Sequence, residues 1–152
     1  MKLRDLLKPS AILGDLVSTE KDGVIRELSL SLNRLHPNLS QEDIARVLFD
    51  REKLGSTGVG HGVAIPHGKI KSLDNLIGLF ARSKRGVDFK SHDHKPAHLF
   101  FVLLAPENVG SQHLQALSRL SRLLKPDEFR KQLLESRPDQ LFDLLVSEDD
   151  KL

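Results

Sequence analysis

The stretch Arg51–Lys69, REKLGSTGVGHGVAIPHGK, contains glycines, hydroxyl side chains, a proline and histidines where a packing element would contain aliphatic residues. We interpret this stretch as the functional loop of the protein. Because glycine lacks a Cβ, the backbone can turn tightly here and its N–H groups stay accessible. Successive exposed amides of this kind suit an anion. The glycines are Gly55, Gly58, Gly60, Gly62 and Gly68.

A histidine lies near the end of this stretch. The short apolar run 63–65 predicts a strand, and Pro66 holds the residue before it extended, so we expect His67 at a strand end. A neutral imidazole, with an unperturbed pKa of roughly 6.5, has one ring nitrogen free to act as a nucleophile. His67 is therefore our candidate for carrying a phosphoryl group. The alternative is a histidine that only satisfies a turn by hydrogen bonding.

Candidate phosphate donors surround this histidine. A transferring phosphoryl group carries its charge on three equatorial oxygens, so catalysis needs donors aimed at them. We predict that the hydroxyls, the nearby amides and a guanidinium supply these donors. For the arginine, which ends a predicted helix, a second interpretation is that it only favours the helix dipole and reaches solvent. The candidates are Ser56, Thr57, Gly58, Gly68 and Arg51.

The segment 55–69, GSTGVGHGVAIPHGK, resembles the sequence around the phosphorylated histidine in IIA proteins of the bacterial sugar phosphotransferase system. The resemblance is to the fructose/mannitol class and especially to its nitrogen-regulatory branch. It extends from about residue 3 to residue 145. Further matching segments, in the expected order, are REK at 51–53, VDF at 87–89, LLAP at 103–106 and HLQAL at 113–117.

The resemblance implies roles for three side chains. It implies that His67 is phosphorylated on Nε2, a choice of nitrogen that the residues alone leave open. It implies that Arg51 belongs to the phosphorylation site and that His113 is a second active-site histidine, which hydrogen-bonds the phosphoryl oxygens. Without the resemblance, His113 is either a surface residue or part of a helix N-terminus that adds positive potential beside the phosphoryl group.

Length and composition limit the class of protein. With 152 residues, 39% of them hydrophobic and 29% charged, the chain fits one domain, residues 1–152, with a substantial core. The formal net charge of +2 is small and Trp and Tyr are absent, which disfavours nucleic-acid binding. The absence of cysteine excludes disulfides and is compatible with the cytoplasm. The apolar run 99–105 is too short to span a bilayer, so we expect no membrane insertion.

Helices and strands alternate along the chain, which predicts an α+β fold with a mixed β-sheet covered by helices on two faces. The resemblance implies the same three-layer α/β/α arrangement. Apolar spacing predicts a short helix at 3–7 and longer helices at 24–35, 44–54, 114–124, 129–134 and 141–145. Predicted strands lie at 12–17, 63–65, 76–81, 87–89 and 98–105. We expect an N-cap at Ser18 or Thr19, a basic turn at 83–86 and a frayed tail at 147–152.

The other histidines are weaker candidates. His61 lies inside the loop, so we give it at most a secondary, orienting role. His92, His94 and His98 form an H-x-H-x-x-x-H pattern, but Pro96 interrupts it and no closed ligand set completes it, so we predict no metal site. The sequence also lacks the glycine-rich Walker loop and the serine elbow, so neither ATP nor a serine nucleophile is expected.

These observations predict a phosphotransferase component that works as a phosphocarrier and needs no cofactor. Its expected donor is a small histidine-containing phosphocarrier protein (HPr or NPr type). A IIB component or a regulatory protein would follow. We expect an apolar docking patch around the loop that includes Val59 and Val63. Two alternatives stay open: a non-catalytic regulatory module of the same fold, and a fructose-type component of sugar uptake.

Overall fold

The computed structural model describes residues 1–152. It contains five α-helices, six β-strands and two short 3₁₀ turns, Leu3–Asp5 and Pro138–Gln140. The helices are α1 (Lys21–Leu35), α2 (Gln41–Lys53), α3 (Gln112–Leu123), α4 (Asp127–Glu135) and α5 (Leu141–Asp149). The strands are β1 (Ile12–Leu13), β2 (Gly58–Gly60), β3 (Val63–Ala64), β4 (His67–Lys69), β5 (Ile77–Val87) and β6 (Ala97–Ala105).

The six strands form one mixed sheet in the order β1-β5-β6-β3-β2, and β4 also pairs with β6 after β3 ends. Strand β6 is the centre of this sheet. It pairs antiparallel with β5 and parallel with β3 and β4. All its residues except His98 are buried, as expected for a strand covered on both faces. The predicted mixed sheet flanked by helices is confirmed.

The two layers of helices can be located from β4. Gly68 faces α2, because a Cβ at this position would overlap Cγ1 of Val47. The preceding residue, His67, points to the opposite face, where its ring lies beside that of His113 on α3. Helices α2 and α3 therefore cover opposite faces of the sheet, and β4 lies between them.

Strand β5 differs from the prediction. The segment 83–86, predicted as a basic turn, lies inside β5, and the register with β6 shifts between Arg82 and Val87. The Gly86 N–H donates to Oγ of Ser83, at 3.0 Å. The segment is therefore an irregularity within a continuing strand, and no chain reversal occurs there.

The two ends of the chain also require corrections. The predicted strand 12–17 is a strand only at Ile12–Leu13, although the Leu16 N–H also donates to the Arg82 carbonyl of β5. The N-cap of α1 is Glu20 rather than Ser18 or Thr19. The predicted frayed tail is wrong, because α5 continues to Asp149, whose side chain is only 1% exposed. None of the helices is both long and apolar enough to cross a membrane.

Candidate active site

Three elements meet at His67. Strand β4 presents the histidine, and its position is fixed because the Leu103 N–H of β6 donates to the carbonyl of Pro66, at 3.0 Å. The last turn of α2 presents Arg51, and the first turn of α3 presents His113. The structure thus brings together the three predicted catalytic side chains. All three are partly exposed, so the site is open to a partner molecule.

The hydrogen bonds of His67 determine which ring nitrogen is free. Nδ1 lies 2.8 Å from the carbonyl oxygen of Ile65. Because a carbonyl can only accept a hydrogen bond, Nδ1 must carry the proton, and Nε2 keeps its lone pair. Consistently, Nε of Arg51 donates to Nε2 at 3.3 Å. The structure therefore leaves Nε2 as the ring nitrogen that carries a lone pair.

The surroundings of His67 favour the neutral ring. Burial lowers its pKa below the usual 6.5, and the positive charge of Arg51 lowers it further. The bond to the Ile65 carbonyl and the negative charge of Glu52 raise the pKa, but the net direction is downward. The imidazole is therefore uncharged, with its lone pair available, at neutral pH.

His113 lies close to His67 but is not bonded to it. The two ring centroids are 5.5 Å apart and the rings are tilted by 49°. Burial lowers the pKa of His113, and repulsion from His67 in its protonated form and from Lys69 lowers this pKa further. Its Nε2 atom is buried and has no hydrogen-bond partner in the protein. A buried polar atom without a partner costs free energy, which makes it a candidate contact for a bound group.

Ser56 and Thr57 are engaged within the protein. Oγ of Ser56 donates to the carbonyl of Phe89 at 2.5 Å and accepts the Gly58 N–H at 3.0 Å. The Thr57 hydroxyl donates to Oε2 of Glu52. Both hydroxyls therefore shape the loop in this structure, and their role as phosphate donors stays a prediction.

Gly58 and Gly68 are required for packing. A Cβ at Gly58 would overlap Oγ of Ser91, and a Cβ at Gly68 would overlap Val47 of α2. Their predicted contacts with phosphate therefore also stay predictions, while their close approach to neighbouring elements is a feature of the fold.

His61 lies away from the site, contrary to the predicted orienting role. The next residue, Gly62, accepts the N–H of His98 at the start of β6, whereas His67 pairs with Leu103. His98 and Leu103 are five residues apart along β6, which is roughly 16 Å. His61 and His67 therefore lie beside opposite ends of this strand. Val63 is only 3% exposed, so it cannot belong to the predicted docking patch.

The exposed apolar side chains near the site are two leucines. Leu54, which caps α2 three residues after Arg51, is 84% exposed, and Leu114, next to His113, is 65% exposed. Val59 is 51% exposed but lies in β2, with the His61 end of the hairpin. The patch predicted around Val59 and Val63 is therefore not found at the site, and the two leucines exposed near it had been predicted to lie on the buried faces of their helices.

The remaining histidines do not form a metal site. Nδ1 of His98 lies 2.9 Å from the carbonyl of Ser83, while His92 and His94 are exposed. No group of three or more His, Cys, Asp or Glu side chains is arranged to hold a metal ion.

Glu52 was not predicted as part of the site. Its side chain is only 6% exposed and pairs with Lys21 of α1, with Nζ 2.9 Å from Oε1. The same oxygen accepts the Thr57 N–H at 3.0 Å. The acidic residue directly after Arg51 was the one feature of the sequence that could have indicated this role. At a helix end, however, a buried glutamate has the same sequence pattern as a solvated surface glutamate.

Comparisons with known proteins agree with this fold. The model of the family "Phosphoenolpyruvate-dependent sugar phosphotransferase system, EIIA 2" matches residues 5–148, and the chain belongs to this family. A nitrogen regulatory protein of Bradyrhizobium diazoefficiens is 45% identical over 140 residues, which is 92% of this chain and 91% of the relative.

Two further relatives represent the two branches of the family. The fructose-specific EIIABC component of Bacillus subtilis is 40% identical over 151 residues, covering 99% of this chain but 24% of that protein. The crystal structure of the nitrogen regulatory protein IIA-Ntr from Neisseria meningitidis superposes with a TM-score of 0.88 at 36% identity. This match covers 95% of this chain and 98% of that chain.

Proposed function

We propose that this protein is a phosphocarrier, a phosphotransferase component whose His67 accepts a phosphoryl group from the phosphohistidine of a small carrier protein. The observation that carries the proposal is the pair of bonds on the His67 ring. Nδ1 is held by the Ile65 carbonyl, and Nε2 faces the guanidinium of Arg51. A neutral nucleophile next to a fixed cation suits attack on an anionic phosphoryl group.

The transfer needs one bond to form and one to break. The lone pair of Nε2 attacks phosphorus in line, and the phosphorus–nitrogen bond to the donor histidine breaks, returning its electron pair to the donor ring. No base must first remove a proton from Nε2, because the proton of the ring is on Nδ1. The product is a phosphoramidate, which stays reactive enough to donate the group again.

Two side chains are placed to stabilise the transferred group. Arg51 already donates to Nε2, so a small shift moves its guanidinium onto the phosphoryl oxygens. The unpartnered Nε2 of His113 would gain a partner from the same oxygens. In this step the protein supplies positioning and charge stabilisation, and neither ATP nor a metal ion takes part.

The donor would dock on the exposed leucines Leu54 and Leu114, which follow Arg51 and His113 closely in sequence. An apolar centre rimmed by charges is typical of transient protein interfaces. We infer an HPr- or NPr-type carrier as the donor and a cytoplasmic location, in line with membership of the family.

The first test is phosphorylation by the carrier protein. Incubation with the radiolabelled phosphocarrier should label the wild type and leave His67→Ala unlabelled. His61→Ala is the matched control, because His61 belongs to the same glycine-rich stretch but lies at the other end of the sheet, and it should label normally. Label retained on folded His67→Ala would contradict the proposal.

We propose that the phosphorylated protein acts in regulation rather than in sugar uptake. The supporting observation is the higher identity to a nitrogen regulatory protein, 45% against 40% for the fructose-specific component. Phosphorylation adds roughly two negative charges at His67, beside Arg51 and His113, which would change what this surface binds. Rates measured with a sugar-type and a nitrogen-type carrier distinguish the branches, and faster transfer from the sugar-type carrier would contradict the regulatory assignment.

A further inference from the structure

The buried carboxylate of Glu52 connects the glycine-rich stretch to α1 and α2. Oε1 accepts the Thr57 N–H at 3.0 Å and the ammonium of Lys21 at 2.9 Å, and Oε2 accepts the Thr57 hydroxyl. A carboxylate near a helix C-terminus is unfavourable, because the dipole is negative there. Its position thus depends on these donors, all of which lie outside its own helix.

Lys21 contacts both this carboxylate and Phe89, and Phe89 in turn holds Ser56 in the turn Gly55–Thr57. Its Nζ donates to the Phe89 carbonyl at 3.3 Å and lies 4.6 Å from the centre of the Phe89 ring. The same carbonyl accepts the hydroxyl of Ser56. The turn Gly55–Thr57 is therefore held at Ser56 through Phe89 and at Thr57 through Glu52.

The turn Gly55–Thr57, when held in this position, orients the guanidinium of Arg51. One guanidinium nitrogen, Nη1, donates to the Gly55 carbonyl at 3.0 Å, while Nε donates to His67 at 3.3 Å. The direction of the Gly55 carbonyl depends on an unusual backbone angle, φ of +140°, so a turn released from its anchors would point this carbonyl elsewhere. Arg51 would then lose one of the two contacts that fix its guanidinium.

We propose that Glu52 is a positioning residue, which holds the turn Gly55–Thr57 so that Arg51 faces Nε2 of His67. The inference rests on the proposed phosphocarrier function, and it assigns Glu52 no contact with the phosphoryl group. The charge of Glu52 also partly offsets that of Arg51 at the His67 ring, in agreement with a location close to the site.

The test compares Lys21→Met with Lys21→Met/Glu52→Met. The single variant keeps the bonds from Glu52 to Thr57, whereas the double variant removes them without leaving a lone buried charge. In unphosphorylated protein, the Arg51 Nε–H resonance should stay in its hydrogen-bonded position in the single variant and move to that of a free arginine in the double variant. With the phosphorylated carrier, kcat of the double variant should fall about 10- to 100-fold at unchanged KM.

Two outcomes would overturn this role. One is an Arg51 resonance that is unchanged in the double variant, whether or not kcat falls, and the other is a rise in KM at constant kcat, which would make Glu52 a docking residue. If either variant fails to fold, Glu52→Gln is the second test, with Glu42→Gln, an exposed carboxylate on the same helix, as its control. An Arg51 resonance that does not move in folded Glu52→Gln then overturns the inference.

The resonance is measured without any phosphotransfer. It can therefore contradict the positioning role while the wild type is still phosphorylated, and it can support that role even if the carrier fails to label His67. Failure of the inference and failure of the proposed function are thus distinguishable.

Discussion

Arg51 forms two directed contacts, and its shape is therefore as important as its charge. Lysine keeps the charge but carries all its donors on one nitrogen, whereas arginine directs two separate nitrogens, Nη1 to the Gly55 carbonyl and Nε to His67. We expect Arg51→Lys to lower the rate of phosphoryl transfer about 10- to 100-fold with little loss of stability. Arg46→Lys, an exposed arginine on the same helix, is the control. An Arg51→Lys rate equal to that of Arg46→Lys would show that charge alone suffices.

The ionisation of His67 sets the pH range of the reaction. Because burial and Arg51 hold its pKa below the usual 6.5, the ring stays neutral to lower pH than a free histidine. The rate of phosphorylation should therefore fall on the acid side with a midpoint below 6.5. NMR titration of the His67 ring, with the urea-unfolded chain as reference, measures the same shift directly. A folded-state midpoint at or above the unfolded one would contradict this prediction.

Individual site residues could be proposed where the pattern that indicates them lies within a short segment of sequence. His67, Arg51 and His113 could be proposed from a motif, because each belongs to a short segment with its own signal. The protonated nitrogen of His67 was not predictable from those residues, because it depends on where the Ile65 carbonyl lies. The hydrogen bond from the Ser56 hydroxyl to the Phe89 carbonyl was not predictable either, since Phe89 is distant in sequence.

At the scale of elements, the contact between α2 and β4 depends on the absence of a side chain at Gly68. A Cβ there would overlap Val47, so Gly68→Ala should destabilise the protein by about 1–3 kcal/mol through displacement of α2. Val47→Ala removes the overlapping methyl groups and should restore part of the loss in the double variant. Urea unfolding of both single variants and the double variant measures this coupling. Strictly additive effects would show that the two positions do not compete for space.

The strands show why elements are predictable to different degrees. Strand β6 could be predicted because its apolar run is continuous and is buried on both faces. Strand β5 was predicted too short, because Lys84 and Arg85 are exposed within it and Gly86 suggests a turn. Only the pairing of Val87 with Ala97 of β6 shows that the strand continues, and such pairing is not encoded within a local window.

At the scale of the whole molecule, the two ends of the chain are joined through Asp149. Its carboxylate accepts the Leu3 N–H at 2.7 Å and Nε of Arg119 at 2.6 Å, and these partners are 146 and 30 residues away along the chain. The sequence pattern gave no indication of this cluster, because three acidic residues near a terminus are typical of a solvated tail. Burial of Asp149 is a property of the complete fold.

Variants at Asp149 therefore test whether the stability of the fold can be lowered without changing the rate at which His67 is phosphorylated. Asp149→Asn removes the buried charge and directs an amide donor toward other donors, so we expect a loss of about 2–3 kcal/mol in urea unfolding. Asp150→Asn is the matched control, because its ion pairs with Lys2 and Arg4 are exposed and should contribute at most about 1 kcal/mol. Asp149 contacts α3 at Arg119 rather than at His113, so the fraction that remains folded should be phosphorylated at the wild-type rate. Equal destabilisation by the two variants would show that the buried cluster stabilises the protein no more than a surface pair does.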